Sequence, residues 1–349
     1  MTAFKNWGIW IAFIVLLLFL FYPLDYYISK PGGAYEISPI VEVENQDTDD
    51  EGELRLLTIA LSKATPATYL YQLWRDPDHL MEANQIRREN EDDEAYEVRQ
   101  LKLMSNSQIN AIQVAYEQTG NEYTITNNGL FIYSVVKGSP ADGKLQPGDR
   151  IINLEGAQEI SEAVLQELLA TKKVGDRIEL TVQRDGQTRQ VEITLGSIPE
   201  IPGRPAVGIS YQQDRQIATE RNVVFHSEEI GGPSAGLMFT LEIMNQLLDE
   251  DLTKGYRIAG TGEILQDGTV GRIGGVDLKV VAAADEQVDF MFAPDDELSE
   301  DVLAKNPDLE TNYQMAVRTA TEENLDIEIV PVKTIQDALE YLEKLPPKS

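Results

Sequence analysis

The hydropathy pattern begins with a long run without charge, from residue 8 to residue 24. At 1.5 Å per residue this run predicts a helix of roughly 26 Å, which is close to the thickness of a hydrocarbon core. The pattern therefore predicts a transmembrane anchor over residues 7–24, with a membrane as one partner of the chain. Aromatic side chains stand near both ends of the run, as they do at membrane interfaces: Trp7, Trp10, Tyr22, Tyr26 and Tyr27.

Two further signals set the predicted orientation of this anchor. No small-x-small cleavage pattern follows Leu24, which favours a retained anchor over a cleaved signal peptide. Lys5 precedes the run and an acidic stretch follows it, and positive charge stays on the cytoplasmic side. We expect a single-pass protein of the cell membrane with a cytoplasmic tail at residues 1–6, a juxtamembrane linker at residues 25–49 and all later residues extracytoplasmic.

Behind the linker, apolar periodicity predicts a strand followed by helices. Residues 54–61 have the pattern of a strand, Pro66 to Arg88 that of a helix, and Ser107 to Thr119 that of a second helix. The charged patch from Arg87 to Glu97 is typical of a solvated face or a loop.

From about residue 127 to residue 195 the pattern changes to short strands between glycine turns. A glycine turn precedes a strand that ends at Val135, and one helix is predicted from Ser161 to Thr171. Arg184-Asp185-Gly186 contains an Asp-Gly turn between alternating segments, which predicts a β-hairpin. These residues predict a small β-rich domain.

After residue 199, strands again alternate with helices. Two apolar strands, at residues 290–294 and 327–332, are each followed by a helical pattern, and the last helix runs from Thr334 to Leu345. Such alternation indicates α+β or α/β layers. We expect an α+β fold with a β-rich insertion and one N-terminal transmembrane helix.

Composition limits the chemistry that the chain can perform. The 349 residues are enough for two or three domains, and they include no cysteine and only two histidines. Disulfides and thiolate metal sites are therefore excluded, and no metal is expected. The 29 basic residues against 59 acidic ones give a net charge of −30, which repels phosphate backbones. Nucleic acid is accordingly not expected as a partner.

The strongest candidate for catalysis is the stretch Gly231-Gly232-Pro233-Ser234-Ala235-Gly236. A strand-like run at residues 223–225 precedes it and a helical apolar pattern from Leu237 to Leu248 follows it, so Ser234 is predicted at a strand-to-helix turn. Unpaired backbone N–H groups at a helix start suit an oxyanion. We expect the turn around Ser234 to bind one, through the backbone of Gly232, Pro233 and Ala235.

A serine hydroxyl needs a base beside it, and the sequence limits what that base can be. The stretch also fits the G-x-S-x-G pattern of α/β-hydrolases, which place their histidine after the serine. His79 and His226 both precede Ser234, so that order fails; a histidine-before-serine order stays formally open, although both are interpreted as structural or solvated. A lysine serves as base when desolvation lowers its pKa from about 10.4. Lys279 is the candidate, because Gly274-Gly275 precedes it and an apolar run follows it.

Gly-Pro-Ser-Ala-Gly, followed by Gly-Gly-x-x-x-Lys at residues 274–279, resembles the proteolytic domain of Lon-type proteases, the Ser-Lys peptidases. Residues 252–255, 258–262 and 267–273 are similar to the family segment between the serine and the lysine. The resemblance implies a Lon-like proteolytic domain over residues 199–349, with residues 50–120 as its N-terminal part. It also implies a serine endopeptidase with Ser234 as nucleophile and Lys279 as general base.

The β-rich segment closely resembles a bacterial PDZ domain. The resemblance is carried by Asn128 to Val135, Gly138-Ser139-Pro140-Ala141, Leu145 to Ile152 and the helix from Ser161. It implies a PDZ domain over residues 121–198 that binds a peptide by strand addition. The implied peptide-binding residues are Gly129, Leu130, Phe131 and Ile132.

One motif resembles a nucleotide-binding P-loop but lacks a required residue. Gly138 through Lys144 spells G-x-x-x-x-G-K, but Leu145 follows where a P-loop has serine or threonine, and no βαβ context surrounds it. No other stretch resembles an ATPase module, so neither nucleotide nor other cofactor is expected.

The sequence therefore predicts an ATP-independent, membrane-anchored, extracytoplasmic serine endopeptidase. Its expected substrates are exported or membrane peptides and proteins, which the PDZ domain docks. Two alternatives stay open: a PDZ-based adaptor or holdase with a catalytically silent protease domain, and a protease that works with a separate ATP-driven motor.

Overall fold

The computed structural model describes residues 2–46, 51–75, 79–88, 91–157, 159–199, 201–227 and 230–348. In chain order the helices are α1 (Thr2–Leu20), α2 (Pro66–Arg75), α3 (Ala83–Ile86), α4 (Asp93–Thr119), α5 (Glu162–Thr171), α6 (Gly236–Leu247), α7 (Val276–Asp285), α8 (Glu300–Lys305), α9 (Asn312–Glu322) and α10 (Ile335–Lys344). The strands are β1 (Tyr26–Glu36), β2 (Val41–Val43), β3 (Glu53–Lys63), β4 (Leu80–Glu82), β5 (Tyr123–Val135), β6 (Arg150–Leu154), β7 (Arg177–Arg184), β8 (Gln187–Thr194), β9 (Gly196–Ile198), β10 (Ile201–Ala206), β11 (Ile209–Thr219), β12 (Val223–Phe225), β13 (Arg257–Gly260), β14 (Glu263–Ile264), β15 (Val270–Gly271), β16 (Phe290–Pro294) and β17 (Glu328–Val332).

A six-stranded mixed sheet forms the centre of the larger unit, in the order β17-β16-β13-β3-β1-β4. The first four strands run parallel to their neighbours, whereas β1 is antiparallel to both β3 and β4. Helices cover both faces, as parallel strands require. One face packs on α4, α6 and α10 through Leu54, Leu56, Ile258, Phe290 and Phe292. The other packs on α7 and α9 through Leu57, Ala259, Met291 and Ala293.

A second, antiparallel sheet has the order β11-β5-β6-β7-β8 and its own apolar core. Its first and last strands along the chain, β5 and β11, pair from Tyr123 opposite Thr219 to Val135 opposite Ile209. The β7–β8 hairpin turns at Asp185 and Gly186, both with positive φ (50° and 74°), which matches the predicted Asp-Gly turn.

Helix α4 lies between the two sheets and is longer than the sequence pattern predicts. It begins at Asp93, where the Asp92 carboxylate accepts a hydrogen bond from the N–H of Ala95. Of the charged patch that predicts a solvated face or a loop, Asp93 to Glu97 form the first turns of this helix, and Arg99 makes a buried ion pair with Glu91 at 2.7 Å. Residues 89 and 90 of the same patch lie outside the described residues. The helix packs on α6 with one side and on β5 and β11 with another.

The predicted transmembrane anchor over residues 7–24 is wrong. No helix in the described ranges is both long and apolar enough to cross a membrane. Helix α1 stops at Leu20, so the uncharged part from residue 8 measures only about 20 Å, against a hydrocarbon core of about 30 Å. After the helix, the N–H of Leu24 donates to the carbonyl of Ala64, and β1 begins two residues later.

Loss of the predicted transmembrane anchor also corrects the expected fold class and the expected location. The structure is mixed α/β, and neither the α+β fold with an N-terminal transmembrane helix nor the single-pass location is supported. The segment expected to be a juxtamembrane linker, residues 25–49, contains β1 of the central sheet and β2; its residues 47–49 lie outside the described part.

Candidate active site

Ser234 lies at the turn between β12 and α6, directly before Ala235, the N-cap residue of the helix. Gly236 allows the helix start to pack directly on its neighbours. A Cβ atom at this position would lie 2.6 Å from the Ser107 hydroxyl oxygen and 2.8 Å from the backbone nitrogen of Ile264. The turn that carries Ser234 therefore lies against α4 and β14 with no room for a side chain.

Helix α4 also fixes the residues before the serine. The N–H of Gly232 donates to the carbonyl of Gln100 at 3.1 Å, and the Ser107 hydroxyl donates to the carbonyl of Pro233 at 2.9 Å. Gly232 adopts a positive φ of 85°, which glycine tolerates at little cost. Two hydrogen bonds from one helix thus hold the loop in a single path.

Lys279 approaches Ser234 from the first turn of α7. Its Nζ atom lies 2.7 Å from Ser234 Oγ, and the residue is only 2% exposed. No carboxylate pairs with the amine among the described residues, and burial lowers the pKa of Lys279 from 10.5 to about 7. The neutral amine, which has a lone pair to accept a proton, is therefore well populated at neutral pH.

A third side chain, Thr261, completes the hydrogen bonding of this pair. Its Oγ1 atom lies 2.8 Å from Lys279 Nζ and donates to the Ser234 carbonyl at 3.1 Å. Because the threonine proton is used at that carbonyl, Thr261 accepts an N–H from Lys279. The lone pair of the amine is then left for the Ser234 hydroxyl.

Sequence reasoning assigned no separate role to Thr261, which appeared only within a segment similar to Lon-type proteases. Its position in the sequence could have indicated a role, because Thr261 directly follows strand β13 and lies between Ser234 and Lys279 along the chain. The N–H of Gly262 also donates to the Ser234 carbonyl, at 2.8 Å.

The backbone N–H groups of the turn differ in availability. Gly232 uses its N–H on Gln100, and Pro233 has none. The N–H groups of Ser234 and Ala235 have no acceptor among the described residues. Of the three backbone positions predicted to bind an oxyanion, Ala235 therefore retains a free donor, and Ser234 adds its own.

The two histidines lie in other surroundings. The ring of His226 is exposed and its Nε2 atom lies 3.8 Å from the Glu42 carboxylate, while His79 Nε2 lies 3.3 Å from the Asp277 carboxylate. Within the described part of the chain, Lys279 is the side chain that hydrogen-bonds to Ser234 Oγ. In that same part, no group of three or more histidine, aspartate or glutamate residues is placed to hold a metal ion.

The predicted peptide-binding residues of the PDZ domain, Gly129 to Ile132, lie in the middle of their sheet. Strand β5 pairs with β11 on one side, and on the other side Leu130 and Phe131 pair with β6. Leu130 and Ile132 are fully buried. A strand bonded on both sides cannot accept a peptide, so strand addition at these residues is a prediction that the structure corrects.

Strand β11 is one of the two edge strands of this sheet, and β8 is the other. The N–H of Gln213 turns away from β5 and donates to the Glu162 carboxylate of α5 at 3.2 Å. Because alternate residues of an antiparallel strand direct their N–H groups to opposite edges, Tyr211 points the same way. Gly208, with a positive φ of 83°, begins this strand as a glycine turn. Strand β11 thus combines a preceding glycine turn, an outward N–H and a neighbouring helix, which are the features that were expected near Gly129.

Two family models match the chain. The model of the PDZ domain matches residues 108–195, and the model of the Lon protease (S16) C-terminal proteolytic domain matches residues 210–340. Ser234, Thr261 and Lys279 all lie within the second match. Strand β11 lies beyond the end of the first match, although it belongs to the same sheet.

Curated relatives share shorter segments with the chain. It is 37% identical over 73 residues to the probable periplasmic serine endoprotease DegP-like of Ectopseudomonas mendocina, and 31% identical over 125 residues to the pro-apoptotic serine protease NMA111 of Candida glabrata. These segments cover 21% and 33% of this chain, but only 15% and 13% of the relatives' own lengths. The PDZ domain of the SdrC-like protein of Listeria monocytogenes is 27% identical, over 25% of this chain and 92% of that domain, with a TM-score of 0.23.

Together, the two family models identify two similarities in one chain, to a PDZ domain and to the proteolytic domain of a serine protease class. Within this class, the proteolytic part is similar to the C-terminal domain of Lon proteases over residues 210–340.

Proposed function

We propose that this chain is an ATP-independent Ser-Lys endopeptidase that hydrolyses peptide bonds in extended or flexible protein segments. The observation that carries the proposal is the 2.7 Å separation between Lys279 Nζ and Ser234 Oγ. Covalent catalysis by serine requires a nucleophile and a base within hydrogen-bonding distance of each other. The match to the Lon C-terminal proteolytic domain supports the same class of reaction.

In the acylation step, Ser234 Oγ attacks the substrate carbonyl while the neutral amine of Lys279 takes the hydroxyl proton. Negative charge then forms on the carbonyl oxygen, close to the free N–H groups of Ser234 and Ala235. Donors that are fixed before the reaction stabilise such charge without reorganisation. The Lys279 ammonium donates its proton to the leaving amine, and the acyl group remains on Ser234.

Deacylation repeats the proton transfers with water. Lys279, neutral again, takes a proton from a water molecule that attacks the acyl carbonyl, and then returns the proton to Ser234 Oγ. At the end of the cycle Ser234 Oγ is protonated and Lys279 is neutral, as at the start. The net reaction is the hydrolysis of one peptide bond by one water molecule. The dyad needs no nucleotide for this chemistry.

The PDZ sheet supplies the docking surface in this proposal. We place the substrate strand on the open edge of β11 rather than on Gly129 to Ile132, because β5 is bonded on both sides. Main-chain pairing with the outward N–H of Tyr211 would hold an extended peptide without selecting its sequence strongly. Docking on the same molecule raises the effective concentration of substrate at Ser234.

The test uses the full chain as wild type, as Ser234→Ala and as Lys279→Ala, each incubated with casein without ATP or metal. Fragments are followed by mass spectrometry. We expect fragments with the wild type and none with either variant, because each substitution removes one half of the dyad. Activity retained by Lys279→Ala would overturn the dyad. Binding of casein by all three proteins without cleavage would instead favour the adaptor or holdase.

A further inference from the structure

Glu263 is the first residue of strand β14 and follows Gly262, whose backbone contacts the nucleophile. The preceding residue, Gly262, donates its N–H to the Ser234 carbonyl at 2.8 Å. The following residue, Ile264, is fully buried in the apolar core beside α6. Because side chains alternate along extended chain, Glu263 points away from that core, to the side on which Thr261 contacts the dyad.

The Glu263 carboxylate has no hydrogen-bond or ion-pair partner among the described residues, and the residue is half-buried. It lies over the opposite strand, where a Cβ atom on Gly271 would be 3.6 Å from its Oε2 atom. The neighbouring cation, Arg272, is already engaged by the Asp296 carboxylate at 2.7 Å and the Glu310 carbonyl at 2.9 Å. Burial raises the pKa of Glu263 above its usual value.

An acid in this position destabilises the free protein unless something compensates its charge. A carboxylate that loses water without gaining a partner is unfavourable. The hairpin around it is closely packed, because the Cβ position of Gly262 is already occupied at 2.5 Å by Val270. Because Glu263 shares the side of the chain on which Thr261 contacts Lys279, a compensating group is expected to arrive with the substrate.

We propose that Glu263 determines specificity by binding a lysine or arginine side chain of the substrate close to the bond that is cleaved. The inference rests on the proposed peptidase function of Ser234 and Lys279. A basic side chain would restore the lost interactions of the carboxylate through a charge-assisted hydrogen bond. A neutral side chain would leave the carboxylate unpaired, and an acidic one would be repelled.

The experiment compares matched peptides with the wild-type protein. A mass-spectrometric map of casein fragments first gives the residues around each cleaved bond. A peptide spanning one mapped site is then synthesised with lysine, alanine or glutamate at the position where basic residues are enriched. The variants are Glu263→Gln and Glu263→Lys, and the control is Asp267→Asn, which removes the same charge from the exposed tip of this hairpin.

For the wild type and Asp267→Asn, we expect kcat/KM to be about tenfold higher with lysine than with alanine, the size typical of a hydrogen bond to a charged group. Glu263→Gln should bring this ratio close to one, and Glu263→Lys should favour the glutamate peptide. A wild-type map without enrichment of basic residues, or a ratio unchanged in Glu263→Gln, would overturn the inference.

Failure of the peptidase itself is distinguishable from failure of this inference. If the wild type cleaves nothing, the proposed function fails. The role of Glu263 is then tested without catalysis, by measuring how tightly peptides that differ at one position bind to the Ser234→Ala protein. Fluorescence polarisation of lysine-, alanine- and glutamate-containing peptides, taken from a casein segment rich in lysine, supplies that measurement. Tighter binding of the lysine peptide than of the other two, lost when Glu263→Gln is added to Ser234→Ala, would support the site. Equal binding of the three peptides to Ser234→Ala would overturn it.

Discussion

The side-chain amide of Asn110 on α4 donates a 2.9 Å hydrogen bond to the carbonyl of Ile264 on β14. Its Oδ1 atom accepts a hydrogen bond from the guanidinium of Arg215 on β11. Asn110 is buried, so both of its bonds are shielded from water. One side chain thus connects the open strand of the PDZ sheet with the hairpin that carries Glu263.

Replacing Asn110 by leucine, a side chain of similar volume, should remove the hydrogen bonds to both Ile264 and Arg215. The Ile264 carbonyl and the Arg215 guanidinium would each lose a partner in a desolvated site, which typically costs about 1–3 kcal/mol. We expect lower stability toward urea and a lower kcat for casein. Asn84→Leu, on the exposed surface, is the control and should change neither quantity. An Asn110→Leu protein that matches the control would show that this amide does not hold the hairpin.

The activity should rise with pH through a midpoint near neutrality. Burial lowers the pKa of Lys279 to about 7, so the base is protonated and inactive below that pH and neutral above it. The measurement is kcat/KM between pH 5 and pH 9 with one casein-derived peptide. Lys279→Arg should be inactive throughout, because a guanidinium keeps its proton across this range. A pH profile that is flat across the range would contradict a base with this pKa.

The same lysine should make stability depend on pH in a predictable direction. Between pH 7 and pH 10.5 the unfolded chain binds the proton of Lys279 and the folded chain does not, so the free energy of unfolding rises with pH in this window. The slope from this one group is at most about 1.4 kcal/mol per pH unit.

Lys279→Met removes that contribution at similar side-chain length. We expect the variant to be more stable than wild type at pH 7, with the difference shrinking as pH approaches 10. Urea denaturation at several pH values gives both curves, and their difference cancels the titration of all other groups. A difference independent of pH would mean that the buried amine does not titrate as described.

Thr261 offers a test of how the base is oriented. Thr261→Val keeps the shape but removes the hydroxyl between Lys279 and the Ser234 carbonyl, so kcat should fall by about tenfold to a hundredfold while KM changes little. Thr261→Ser retains the hydroxyl and should recover most of the rate. If serine and valine variants are equally slow, packing of the methyl group, and not hydrogen bonding, explains the effect.

Docking on β11 can be tested at Tyr211. Tyr211→Pro removes the outward N–H without breaking the pairing with β5, whereas Tyr211→Ala removes the same ring and keeps the N–H. Binding of a labelled casein peptide to the Ser234→Ala protein should weaken about tenfold more with proline than with alanine. Equal binding by the two variants would place the peptide elsewhere.

Local sequence was informative where the relevant contacts are local. The glycines around Ser234 predict a strand-to-helix turn, and the structure has Ser234 in that turn directly before α6, in contact with Lys279 from the first turn of α7. The Asp185-Gly186 hairpin is likewise determined by its own two residues, since both adopt positive φ. These features require no knowledge of distant strands.

Features that depend on distant partners were missed. Whether β5 is an edge or a central strand depends on β11, which begins only at Ile209, far along the chain from Val135, so the local sequence does not show that β5 is paired on both sides. The predicted membrane span failed for a related reason, because pairing of Leu24 with Ala64 diverts the chain into the central sheet. Hydrophobicity along the sequence records neither contact.

The ribbon formed by β5 and β11 joins the PDZ sheet to the rest of the chain through two neighbouring strands. The pairing has two register shifts, but a domain joined through two paired strands is more restrained than one on a single flexible linker. This restraint limits how far the edge of β11 can move relative to Ser234. With the docking proposed above, the peptide bonds that reach Ser234 would lie within a limited distance of the docked end, so the products are expected to fall within a narrow range of lengths.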